Sequence, residues 1–145
     1  MAYSTVANVE SEFKDIDFSA STTITDTEVT AFISEADALI DATIDNRYVV
    51  PVTGAASLLI LKTISIWLVK ARILSILSVK TPQDKTKQDP DGPTLRKDAL
   101  KMLEMISKGQ LTLVDATLVD TEGGMTSYLM DATIQKQFKT NRDQW

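Results

Sequence analysis

The sequence predicts a mainly helical fold, a small bundle around a long apolar central helix with short β segments and an extended C-terminal arm. Three observations carry this. Residues 55–79 (AASLLILKTISIWLVKARILSILSV) run for twenty-five positions with three charges, Lys62, Lys70 and Arg72. Residues 25–46 before them and 93–109 after them repeat apolar side chains at i, i+3, i+4 and i+7, the period of a helix with one covered face. Beyond Gly109 that period is lost, which divides the chain into a helical core over 1–109 and a second part, 110–145, of short strands and arm. At 145 residues one domain is expected, long enough to bury roughly 68–70% of its unfolded surface without staples.

In chain order, Ser4 or Thr5 caps a short helix carrying Val6, Val9 and Phe13 at helical spacing. A polar connection over 15–23 follows. Thr25 with Glu28 three residues later offers a capping box, opening a helix that runs to Asn46 and buries Val29, Phe32, Ile33, Ala36, Leu39, Ile40, Thr43 and Ile44. Beside that stripe Asp37, Asp41 and Asp45 stand four apart, a ridge of like charge costing roughly 0.2–0.5 kcal/mol per adjacent pair in an isolated helix. The ridge reads as a solvated face, or as a surface awaiting a basic neighbour. Carboxylates strung along a straight helix do not wrap an ion, so no metal site is assigned.

Pro51 ends that helix by biasing Val50 away from helical angles. Just before it, Arg47 is expected over the last helical carbonyls and Tyr48 against the turn, with both as candidates for partner contact. The central helix, apolar on almost every side, must be covered by protein or lipid. Lys62 and Lys70 cut it into pieces shorter than the roughly 18 apolar residues a bilayer core demands. Each mid-helix cation would also cost about 2.5–3.5 kcal/mol on insertion. The cover is therefore expected from other helices or other copies, with no membrane.

Residues 81–93 (TPQDKTKQDPDGP) hold three prolines, a glycine and alternating charge, and read as an exposed, mobile loop whose Lys85 and Lys87 are contact candidates. Pro93 suits the first turn of the next helix, where Leu95, Ala99, Leu100, Leu103 and Ile106 form the covered stripe and Gly109 closes it as a left-handed cap. Residues 111–113 and 117–119 alternate as one or two short strands, with a hairpin expected around Asp115 and Ala116. The final stretch scatters Tyr128, Leu129, Phe138 and Trp145 without a period. Such a tail is either disordered or an arm that docks elsewhere.

Chemistry is nearly excluded. The chain holds no cysteine and no histidine, which removes thiol catalysis, imidazole bases and the commonest zinc ligand sets. No phosphate-binding glycine loop and no nucleophile with its base can be assembled, so the chain is read as no enzyme and as needing no cofactor. The N-terminus lacks the basic start and apolar run of a secretory signal, so synthesis and assembly are expected in the cytoplasm.

Charge is uneven. Residues 1–45 hold ten acids against Lys14 alone, a net −9; the remainder holds ten acids and fourteen bases, a net +4. Ordinary solvated faces are one reading. The sharper one is head-to-tail contact between copies, an acidic flank on a basic one, which closes into a homo-oligomeric ring. A pI near 4.7 gives little support to nucleic-acid binding.

One stretch is more specific. Residues 36–52, ADALIDATIDNRYVVPV, with Ile40, Asp41, Arg47, Tyr48 and Pro51 as its sharpest elements, resemble the helix end of tailed-phage head-tail connector proteins of the Mu-like kind. There a pattern A-x-x-x-I-D-x-x-L-x-x-R-Y-x-x-P-L precedes a long apolar helix. The likeness covers roughly residues 3–111. It implies a virion neck component, a head completion adaptor forming a ring of commonly twelve copies on the portal protein, without catalysis. It also implies a surface for tail or neck proteins and passage of double-stranded DNA through the lumen without sequence recognition. An acidic inner wall would let that DNA slide. On this reading Asp37, Asp41, Asp45, Arg47, Tyr48, Lys85, Lys87, Tyr128, Leu129, Phe138 and Trp145 are the candidate contacts. A ring-forming DNA-packaging subunit that binds viral DNA, similar to a small terminase, is the alternative.

Overall fold

A computed structural model of the chain describes residues 2–13, 17–19, 23–80 and 92–119. The fold is mainly helical, with four helices in the order α1 (Val6–Glu10), α2 (Asp26–Ile44), α3 (Ala55–Lys80) and α4 (Gly92–Ser107). Both expected caps form. Thr5 caps α1 in a reciprocal box with Asn8, and Thr25 caps α2 with Glu28, whose carboxylate takes the Thr25 N–H at 2.8 Å.

α2 and α4 run antiparallel to α3 and parallel to each other. Asn46 Nδ2, just past α2, donates to Ser107 Oγ at the end of α4 at 3.1 Å, while Gly92 at the start of α4 lies against Ala71 far along α3. A Cβ on Gly92 would stand 2.8 Å from the Ala71 carbonyl oxygen, so the close approach of the two helices requires glycine there. α1 packs across α2 and α3.

The core has two halves along α3. One joins Ile40 and Ile44 of α2, Leu61 and Ile64 of α3 and Ala99, Leu103 and Ile106 of α4 to Tyr3, Tyr48, Val52 and Leu113. The other joins Val29, Ile33 and Ala36 to Val69 and Ile73, closed by Val9 and Phe18. The absence of a single stripe on α3 is thereby explained: its several faces meet α2, α4 and α1 in turn. Two of its cations are also engaged within the chain. Lys70 pairs with Glu12 at 3.3 Å and stands over the Phe13 ring, and Arg72 stands over Phe32. Among the described residues no helix is long and apolar enough to cross a membrane.

The expected hairpin does not form. Residues 117–119 are extended, but they pair antiparallel with 47–49, through Val49 N–H to Thr117 O at 2.8 Å and Val119 N–H to Arg47 O at 2.9 Å, around a single bridge between Tyr48 and Leu118. Asp115, placed by the sequence at a hairpin tip, is instead drawn to the start of α3. Lys85 and Lys87, expected on a loop, and Tyr128, Leu129, Phe138 and Trp145, expected on an arm, lie outside the described residues.

Candidate assembly surface

At one end of the bundle α2 and α4 finish and α3 begins, and three long-range ties hold it. The first is an N-terminal latch. The Tyr3 N–H donates to Asp37 Oδ2 at 3.1 Å, and the Tyr3 hydroxyl donates to Asp41 while accepting the buried Val52 N–H at 3.2 Å. Ser65 Oγ donates to Asp37 Oδ1 at 3.0 Å and lies 2.8 Å from Ser4 Oγ. Burial pushes the Asp37 carboxyl above the usual carboxylate range, opposed by the Tyr3 and Ser65 donors. Burial, and then the bond to Asp41, keep the Tyr3 phenol protonated and donating.

The ridge expected at Asp37, Asp41 and Asp45 is therefore not one solvated face. Asp37 is buried and Asp41 half-buried beneath Tyr3; of the three, Asp45 alone is exposed. Hydrogen bonds from the N-terminal segment and α3 offset part of the repulsion at Asp37 and Asp41.

The second tie is Tyr48, which is core and not surface: 1% exposed, its hydroxyl accepting the Leu113 N–H at 3.1 Å. Arg47 does not spread over the carbonyls of α2. Its guanidinium lies over the Tyr48 ring, 5.7 Å from the centroid, and fills the space that a side chain at Gly109 would need. Gly109 takes φ +74° as expected and hands the chain back, with the Gln110 N–H bonded to Met105 O at 2.8 Å.

The third tie is Asp115, the cap of α3. Its carboxylate accepts the N–H groups of Ala56 at 2.7 Å and Ser57 at 2.9 Å and the Ser57 hydroxyl. The Ser57 hydroxyl first, and then the two backbone donors, hold its carboxyl below the usual range. The sequence around Thr53, Gly54 and Ala55 places no side-chain oxygen at the cap position, where Gly54 stands with its carbonyl bonded to the Leu58 N–H at 2.8 Å. A long helix without a local cap was the available sign that a distant carboxylate supplies it.

The segments around these ties carry most of the large exposed apolar side chains among the described residues. Val114 is 87% exposed, Leu59 67%, Leu118 54% and Val49 50%, with Val119 beside them in sequence also open. All five belong to segments that meet at this end, whereas Leu39 and Leu100, also exposed, lie within α2 and α4. Large apolar side chains left in solvent on segments that meet at one end of a fold are candidates for contact with another molecule. Among the described candidates, Asp45 and Arg47 border this end from outside and Asp37, Asp41 and Tyr48 hold it from within.

No curated protein matches the chain in sequence. A family model does, the one described as "Bacteriophage Mu, Gp36", and it takes in residues 3–127, from the latch tyrosine through all four helices and beyond the Asp115 cap. With its helical core, its long-range ties and most of its length inside that match, the chain belongs to the bacteriophage Mu Gp36 family and is a protein of Mu-like phages.

Proposed function

We propose that this chain is a structural protein of the phage neck, a head-tail connector or head completion adaptor, and not an enzyme. In this role copies of the chain form a ring, of twelve in this reading, on the portal vertex, which offers tail or neck proteins their attachment surface and leaves a lumen for double-stranded DNA. The observation that carries it is family membership across residues 3–127. Two features support it further. The pattern Ile40, Asp41, Arg47, Tyr48, Pro51 sits where α2 turns into α3, and that turn is fixed from four directions by Tyr3, Gly109, Leu113 and residues 117–119. The same end carries the exposed aliphatic residues, which a free monomer would leave in water at about 25 cal/mol per Å².

The experiment is genetic and then biochemical. A Mu-like phage lacking this gene should accumulate separate heads and tails, and purified chain added to those heads should restore joined particles. Normal joined, infectious particles without the chain would end the proposal. Accumulation of empty heads instead, with salt-sensitive DNA binding by the purified chain, would favour the packaging-subunit alternative.

A further inference from the structure

We propose that neighbouring copies of this chain meet through the outward stripe of α2 on one copy and the outward stripe of α4 on the next. The proposal rests on the ring reading and adds the two faces that make it.

α2 turns its apolar face to α3 and leaves a straight exposed stripe of Ala31, Glu35, Ala38, Ala42 and Asp45, spaced by three or four residues. These positions share one side of the helix. The stripe is flat, because its centre is alanine, and acidic, because α2 carries no basic residue from end to end. α4 leaves a different stripe, Lys97, Lys101 and Glu104 at i, i+4 and i+7, continued by Lys108 just past its end, all exposed. Lys108 pairs with Glu104, whereas Lys97 and Lys101 make no ion pair among the described residues, and neither do Glu35 and Asp45.

The two stripes fit by shape as well as by sign. Lysine stems are four methylenes long and lie readily along apolar surface with the ammonium at the edge. Laid across the alanines of α2, Lys97 and Lys101 cover small side chains with their stems and reach the carboxylates that border them. Sign also selects the symmetry. Pairing α2 with α2 sets acid against acid, whereas α2 on α4 sets acid against lysine, and that contact joins different faces of the same chain. A contact of this kind repeats from copy to copy and closes as a ring when its rotation allows.

The test is charge reversal in the full chain, read by sedimentation on the purified protein and by copy number on isolated heads. One variant carries Lys97→Glu with Lys101→Glu; another carries Glu35→Lys with Asp45→Lys. All four sites are exposed, and wild-type circular dichroism and melting are expected from both. Each variant alone should self-associate at least about tenfold more weakly than wild type. Mixed in equal amounts they should reassemble, because the acidic α2 of the first meets the basic α4 of the second and the reverse contact is again lysine against glutamate. A chain with all four reversals should assemble by itself. Wild-type assembly by either variant alone, or failure of both the mixture and the fourfold chain, overturns the face assignment. Should the wild-type chain stay monomeric in solution and on heads, the ring reading falls with it, which separates the two failures.

Discussion

Asp37 and Asp115 are carboxylates with opposite histories. Asp37 is taken out of water and its folded pKa is raised; Asp115 is exposed, collects three donors and is lowered. Linkage gives each its sign. For Asp115 the unfolded chain binds more protons, so its stabilisation is present above the ordinary aspartate value of about 3.9 and is lost as pH falls through the lowered folded value. For Asp37 the folded chain binds more protons, so its contribution is greatest below about 3.9 and declines as pH rises through the raised folded value. Urea midpoints measured from acid to neutral pH should therefore lose their dependence in the low window in Asp115→Asn and in the higher window in Asp37→Asn. The reverse assignment would refute both carboxylate environments. Tyr3→Phe removes the acceptor of the buried Val52 N–H and should cost about 1–3 kcal/mol in urea unfolding. None of these partners was legible. Tyr3 and Asp37 are 34 residues apart and Asp115 and Ser57 are 58 apart, and no local spacing records such pairings. The four-residue spacing of the aspartates placed them on one side of a helix, but it could not tell that the N-terminal segment covers part of that side.

Elements were read more easily, because their signals are local. The caps at Thr5 and Thr25, proline after α2 and glycine after α4 each act within a few residues, and α2, α3 and α4 lie close to where the apolar patterns set them. The segment 111–119 misled because alternation shows that a strand can form and not what it pairs with. Tyr48 and Leu118 supply the pairing, across a distance at which sequence is silent. Two substitutions test the element junctions. Gly109→Ala forces a Cβ into positive φ and against the Arg47 guanidinium, and should destabilise by roughly 1–2 kcal/mol. In an Arg47→Ala background the same change should cost less, since only the backbone strain remains; an equal cost in both backgrounds would show that Arg47 yields freely. Leu103→Ala, at a fully buried α4 position facing α2 and α3, should cost about 2–5 kcal/mol, and a value under 1 kcal/mol would contradict the packing of α4.

At the scale of the whole molecule, α3 has most of its apolar surface covered by its own chain, while the end where it begins keeps aliphatic side chains in solvent. Composition already pointed to association through its acidic first third and basic remainder, and the run from Ile40 to Pro51 pointed to a phage family. What it lacked was geometry: which acids are spent internally and which, such as Glu35 and Asp45, stay on the surface. The most direct measurement is an image of the neck of a Mu-like virion by electron cryo-microscopy, with this chain present and with its gene deleted. A ring of density between portal and tail, present with the chain, lost without it and accommodating α2, α3 and α4 as an antiparallel bundle, is the result expected. An unchanged neck in the deletion, or density for the chain elsewhere in the particle, would contradict the connector role.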